Sequence, residues 1–230
     1  MKHETEKKIQ KSRTINWVRW AFSELGLPLG IVLLLTTFIG KPVAIASGSM
    51  ENTLLVGDRL LVNVLSYGPK VPGTDWQLPA LKSAKAGDII VFEPPFESEA
   101  PYVKRCIATA GQTVEIRGKD VYVDGRLMPL PEAGKFVDRQ VQPQGYQQVD
   151  INPPGAGNRD YYGPVVVPPD HLFMLGDNRD DSLDSRYWGF LPENNVIGKI
   201  ELLLFSWDSQ LPLYRIAEKI RWDRLAQHIQ

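Results

Sequence analysis

The run Gly176-Asp177-Asn178-Arg179-Asp180-Asp181-Ser182-Leu183-Asp184-Ser185-Arg186-Tyr187-Trp188-Gly189 is denser in charge, glycine and aromatics than a generic turn requires, and it reads as the wall of a site. Two shorter runs could share that site, Ser47-Gly48-Ser49-Met50 and Tyr102-Val103-Lys104-Arg105. A serine hydroxyl is a poor nucleophile near neutral pH and needs a base within hydrogen-bond reach. Two side chains compete for that role. His171 could complete a Ser-His-Asp triad with Asp177 or Asp184 orienting the ring, but it opens an apolar strand after Pro168-Pro169-Asp170 and fits a strand edge better. Lys104 sits in an apolar run expected to be largely buried, where desolvation disfavours the ammonium and makes a neutral amine available. On residue chemistry alone, a buried lysine serves equally as a base or as half of a structural ion pair. Ser49, on the same terms, is one turn serine among many.

Other chemistries fail on residue types. The histidines, His3, His171 and His228, and the single Cys106 form no group with zinc-ligand spacing, and one cysteine cannot close an internal disulfide. Cys106, in the same run as Lys104, reads as a buried, inert thiol. The Asp-rich run is not a calcium loop: counted from Asp177 or Asp180, Trp188 or Leu191 stands where the closing glutamate belongs. Ser-x-x-Lys, His-Glu-x-x-His and a phosphate-binding glycine loop are missing. A net charge of -1 over 230 residues supplies no basic footprint, so nucleic acid is not an expected partner. No metal or organic cofactor is expected.

These side chains need a rigid frame, and the chain from residue 41 to 230 reads as one main strand-rich domain. Leu60 to Val64, Asp88 to Phe92 and Tyr102 to Ala108 are the expected core strands. Thr113 to Arg117 and Val121 to Val123 follow, paired as a hairpin through Gly118-Lys119-Asp120. Met128 to Pro169, rich in Pro, Gly and Gln, is expected to be a smaller accessory region of irregular loops. Strands resume at His171 to Leu175, feeding straight into Gly176, and at Val196 to Phe205. Leu211, Leu213, Ile216, Ile220 and Leu225 predict an amphipathic C-terminal helix packed on the domain or on a membrane surface. The apolar turn of Phe92, Pro94, Pro95 and Phe96 has two readings, a patch at the membrane surface near the cleft and a buried loop corner, the commoner fate of such residues.

Ahead of this domain, residues 1–16 form a polar tail and residues 17–40 an apolar stretch long enough for one tilted transmembrane helix, which takes roughly 17–25 residues. Lys2, Lys7, Lys8, Lys11 and Arg13 precede it and Arg19 stands at its start, all upstream of the densest apolar run from Leu25 to Ile39, while Gly40 to Leu60 offers only Lys41 and Arg59. That bias places the N-terminus in the cytoplasm and the main domain across the membrane. A rival reading takes Ala44-Ile45-Ala46 as a cleavage site and the whole segment as a removable signal peptide. Retention is favoured, because a cut there would leave Ser49 on a frayed end.

Taken together, Ser47-Gly48-Ser49-Met50, the Lys104-Arg105 pair and the Gly176 run resemble the type I signal peptidases, membrane-anchored Ser-Lys proteases that remove signal peptides from exported preproteins. The resemblance spans about Leu25 to Trp207. It implies Ser49 as nucleophile, Lys104 as its base, and an oxyanion hole made by the Ser49 backbone N–H and the Ser47 hydroxyl. Ser182 would orient the lysine amine, Asp184 and Arg186 would form a supporting ion pair, and Asp177 and Arg105 would add further supporting charges. Gly176 would keep space at the cleft. The implied partners are preproteins with small residues one and three positions before the cut, the bilayer, and transiently the secretion machinery. The implied location is a bacterial-type plasma membrane or an internal, thylakoid-like one. Two positions depart from the family pattern. Asn52 stands where most members carry Pro, which removes a fixed φ from the turn, and Gln112 stands where Asp commonly follows the glycine. A self-cleaving repressor-type Ser-Lys protease is the nearest enzymatic alternative, and a binding protein with degenerate protease motifs the nearest outside catalysis.

Overall fold

The computed structural model describes residues 22–38, 40–70, 74, 76–98, 100–208 and 210–229. The polar tail and the start of the apolar stretch, Trp17 included, lie outside them. A π-helical turn, Phe22–Gly26, leads into helix α1, Leu27–Phe38. No helix among the described residues is long and apolar enough to cross a membrane. Leu25, Leu27, Leu29, Ile31 and Val32 are nonetheless exposed, so this segment presents apolar side chains that the domain leaves uncovered.

The domain is built on two sheets. The larger contains β1 (Gly40–Ala44), β2 (Asp58–Asn63), β3 (Ile89–Phe92) and β4 (Tyr102–Thr109) from the first half of the chain. Later come β9 (His171–Leu175), β10 (Leu191–Pro192) and β11 (Val196–Ser206), in the spatial order β1-β2-β11-β3-β4-β9-β10, with the short β12 (Gln227–His228) added to β11. The four-stranded sheet follows the order β7-β6-β5-β8, formed by Arg126–Met128, Asp120–Val123, Thr113–Arg117 and Tyr162–Val166. The sequence-predicted strands coincide with these to within two residues. The hairpin turn is tighter than expected, because Arg117 pairs with Asp120 and only Gly118 and Lys119 remain between the strands.

Burial follows the residue pattern. In β2 the alternation Asp58, Leu60, Val62 inward and Arg59 outward is that of a strand with one face covered. In β4 Val103 to Ala108 is buried without a break, since layers pack on both of its faces. Val103 joins a core with Leu60, Val62, Val91 and Leu203, into which Met50 and Leu54 plug the turn that carries Ser49. Ile107 and Ala108 join Phe173, Leu175 and the inner face of the small sheet. Ile151 and Tyr162 pack into that same core, so the segment 128–169 is a working part of it.

Two expectations are corrected. The C-terminal amphipathic helix does not form: in this tail only Ile216–Lys219 is α-helical, flanked by 3-10 turns at Leu213–Arg215 and Trp222–Arg224. Ile220 leaves the helical path to bridge Trp207, and Ile216 is exposed, so the spaced apolar residues never share one face. Phe92 is not at a surface either. It is fully buried, its ring against Tyr102 and Trp188, because β3 carries it between two layers; of the same group only Pro95 is fully exposed, while Pro94 and Phe96 are half-buried.

Candidate active site

Strand register assembles the three runs. Arg105 of β4 pairs with Leu175 of β9, so the chain leaving β9 at Gly176 emerges beside Lys104. The turn bearing Ser49 is a short 3-10 helix, Gly48–Met50, tied to that emerging segment by backbone and side-chain bonds. Asn178 N–H donates to Ser49 O at 3.1 Å, and Asn178 Nδ2 donates to Gly48 O at 3.1 Å. Asp177 N–H meets the Met50 sulfur at 3.4 Å.

Lys104 Nζ lies 2.5 Å from Ser49 Oγ, although the residues are 55 positions apart. The lysine is 2% exposed and the serine 9%. Burial is the main reason the Lys104 amine falls to about 8 from its ordinary value of 10.5; Arg186 pushes in the same direction, while Asp184, Asp177 and Asp181 oppose it. A substantial fraction of the amine is therefore neutral at mildly alkaline pH, close against a hydroxyl that it can deprotonate. Ser47 Oγ stands 3.3 Å from Ser49 Oγ. The Ser49 N–H lies in the first turn of its 3-10 helix, where amides have no partner within the helix.

Two buried ion pairs brace this centre. Arg105 grips Asp177 through two bonds, Nε to Oδ1 at 2.9 Å and Nη2 to Oδ2 at 2.8 Å. Arg186 does the same to Asp184 at 2.8 Å for both. Asp184 also caps the four-residue helix Ser185–Trp188 and accepts the Gly176 N–H at 3.2 Å, which anchors the end of β9. Burial raises the Asp184 carboxyl, but the charge and hydrogen bonds of Arg186 outweigh it and hold the group below the usual carboxylate range. Arg186 Nη2 reaches the Arg179 carbonyl at 2.6 Å, closing the loop on itself.

Ser182 differs in detail from what the resemblance implies: its Oγ is buried with no hydrogen-bond partner among the described residues, so the orienting bond onto Lys104 is not made here. At Gly176 a Cβ would lie 2.2 Å from Ser182 Oγ and 2.5 Å from Ser49 O, so only a residue without a side chain leaves room for those two groups. His171 is excluded as the base by its position. It starts β9, about 13 Å along the strand from Leu175 at ~3.3 Å per residue, and its Nδ1 is 2.7 Å from Pro169 O. Cys106 is buried and its thiol is pushed up to about 12, as an inert core residue should be. Among the described residues no group of acidic, histidine or cysteine side chains could hold a metal.

Sequence reasoning did not single out Asn178 or Thr53. Asn178 lay inside the quoted run, and its role depends on a turn 130 residues away. Thr53 Oγ1 donates to Asp177 Oδ2 at 2.6 Å, and nothing in its sequence neighbourhood signals that contact. Gln112 makes good its departure from the pattern: its Oε1 accepts from Thr109 N–H and hydroxyl, and its amide donates to Asp124.

Beside Ser49 a cleft of about 520 Å³ opens between β1 and the start of β4, lined by Ala44, Ala46, Tyr102, Val103, Asp181 and Leu183 among others. The family described as signal peptidase, peptidase S26, matches residues 15–205. Signal peptidase I of Pseudomonas aeruginosa is 34% identical over 203 residues, covering 78% of this chain and 69% of the relative. Probable signal peptidase I-1 of Synechocystis sp. is 35% identical over 219 residues, covering 90% and 88%. Signal peptidase I of Leptolyngbya laminosa is 36% identical over 183 residues, covering 76% and 73%. A solved signal peptidase I structure from Enterococcus faecalis aligns with 52% of this chain and 98% of its own at 30% identity, with a TM-score of 0.38. With its match running through most of both sheets and all three motifs, this chain belongs to the signal peptidase family of S26 serine peptidases.

Proposed function

We propose that the protein is a membrane-anchored endopeptidase that removes signal peptides from exported preproteins by a Ser-Lys mechanism. The observation that carries this reading is the 2.5 Å approach of the buried Lys104 amine to Ser49 Oγ. Neutral Lys104 accepts the Ser49 proton as Oγ attacks the scissile carbonyl. The oxyanion receives bonds from the Ser49 N–H and the Ser47 hydroxyl. Lys104 then passes the proton to the leaving amine, which departs as the new N-terminus of the mature protein. Water, losing a proton to the same amine, hydrolyses the acyl-enzyme and frees Ser49.

The cleft supports the substrate class. Among the described residues β1 is the last strand on its side of the large sheet and pairs only with β2, so an extended peptide can lie against it. Ala44, Ala46 and Val103 give the floor apolar character, which suits small residues one and three positions before the cut. Ser182, once rotated toward the amine, would orient Lys104, with Asp184, Arg186, Asp177, Arg105 and Gly176 fixing the wall behind it. The cationic flank upstream and the exposed apolar residues of α1 support a single N-terminal anchor over residues 17–40, a cytoplasmic tail over 1–16 and an extracytoplasmic domain over 41–230. The bilayer, and in passing the secretion machinery, would then be its surroundings.

The deciding experiment is cleavage of a preprotein with Ala one and three positions before the junction by the purified full chain. Cleavage at that junction, lost in Ser49→Ala and in Lys104→Arg while both remain folded, is expected. An uncut substrate, or equal cutting by Ser49→Ala, overturns the assignment.

A further inference from the structure

Beyond residue 205, where the family match ends, the chain folds back onto the turn that follows Ser49. Arg224 closes a 3-10 turn at Trp222–Arg224. Its Nη2 donates to the Thr53 carbonyl at 3.1 Å and to Asp58 Oδ2 at 2.6 Å, and its Nε reaches Asp58 Oδ1 at 3.4 Å. Asp58, the first residue of β2, is fully buried, and its carboxylate also accepts the Leu55 N–H at 2.8 Å and the Ser206 hydroxyl at 2.6 Å. One guanidinium thus holds both ends of the turn from Thr53 to Asp58. The Arg224 side chain is 13% exposed and that of Asp58 0%, so water screens this pair little.

The held turn is continuous with the catalytic centre. Thr53 donates its hydroxyl to Asp177, Asp177 is clasped by Arg105, and Arg105 adjoins Lys104 in β4. Directly before the held turn stands a residue that needs holding: Asn52 has φ of 77°, the sparsely populated left-handed region, between Ser49 and the Arg224 contact. A carbonyl fixed by a charged donor at Thr53 limits how far that strained turn can relax, and with it the placement of Ser49 against Lys104.

We propose that Arg224 is a positioning residue for the nucleophile turn, acting through the Thr53 carbonyl from a C-terminal segment outside the family match. The proposal rests on Ser49 being the nucleophile. Small misplacements of reacting groups can cost about 100-fold in rate, so Arg224→Ala should lower kcat by roughly 10- to 100-fold with KM changed little. Arg224→Lys, whose single nitrogen can still reach carbonyl and carboxylate, should recover part of the loss. Arg221 provides the control. It belongs to the same tail but grips the turn at the Val56 carbonyl, with Ser206 and Asp208, rather than at Thr53 beside Asn52, so Arg221→Ala should lower kcat clearly less than Arg224→Ala.

The test pairs kinetics on the Ala-containing preprotein with hydrogen exchange of the 48–56 amides in the full chain, both well below the melting temperature of each variant. Expected for Arg224→Ala are the kcat loss, faster exchange confined to 48–56, and persistence of the kcat loss when Asp58→Asn is added to neutralise the buried carboxylate left without its partner. Wild-type kcat in Arg224→Ala, an equal fall in Arg221→Ala, or unchanged exchange at 48–56 overturns the proposal. If the wild type cuts no preprotein, the function proposed above fails on that result, and the exchange data alone still decide whether Arg224 holds the turn.

Discussion

Thr53 and Asp177 are joined by a 2.6 Å hydrogen bond that ties the turn after Ser49 to the wall opposite it, 124 residues further along the chain. Lys104 sits between these two pieces, so its proton state is set by how tightly they close over it. Its amine, held at about 8 by burial, should dominate the pH dependence of cleavage. kcat/KM should rise about tenfold per pH unit below about 8 and level off above it. A pH profile of the free enzyme checks this, and a limb that vanishes in His171→Gln would falsify the lysine base.

The same burial carries a cost in stability. Because folding lowers the Lys104 value from 10.5 to about 8, the unfolded chain binds the extra proton between those values, and stability rises as pH climbs through that window. Below pH 8 the penalty is complete. Lys104→Met, matched in length and apolar, should therefore be inactive yet more stable than the wild type at pH 7, by roughly 1–3 kcal/mol. Denaturant melts at pH 7 and pH 10 should show that advantage shrinking at the higher pH.

Asp184 and Arg186 should behave in the opposite way. Both are buried in a bidentate pair, and Arg186 also serves the Arg179 carbonyl. Asp184→Asn leaves the guanidinium buried without its counter-charge and loosens the cap of the short helix, so a loss of about 3–5 kcal/mol is expected. Chemical denaturation measures it. A double change that replaces both partners with apolar residues of similar volume should lose less.

Asn52 offers a test of turn geometry. Its φ of 77° is closed to proline, whose ring fixes φ near -65°. Asn52→Pro should therefore destabilise this chain or lower kcat, whereas Asn52→Gly should be close to neutral. Thermal melts and cleavage rates on the two variants separate the outcomes.

Much of this architecture is legible in the sequence because its signals are local. Short apolar runs such as Asp88 to Phe92 and His171 to Leu175, bounded by turn residues, specify strands wherever they pack, and their ends fall within two residues of expectation. The lysine was visible as an ion buried in an apolar run. What escaped was long-range. Whether Lys104 was a base or an ion-pair partner depended on which side chain reached it, and Ser49 lies 55 residues away. The apolar spacing after Leu211 resembled a helix, but the bridge between Trp207 and Ile220 took that backbone elsewhere. Asn178, Thr53 and Arg224 act through backbone carbonyls and carboxylates of distant turns, for which no residue pattern exists.

The open flank of β1 has a meaning beyond substrate. Unpaired strand edges invite identical chains to add on and seed aggregation. Here the exposed rim is five residues long, and its middle residue, Pro42, has no N–H to offer. Two copies laid edge to edge would lose a rung at the centre of an already short ladder. A guest peptide has the walls of the cleft to hold it as well as the rim; a second copy of the enzyme would have the rim alone. Replacing Pro42 would then be a change felt first as self-association at high concentration, before any change in the turnover of substrate.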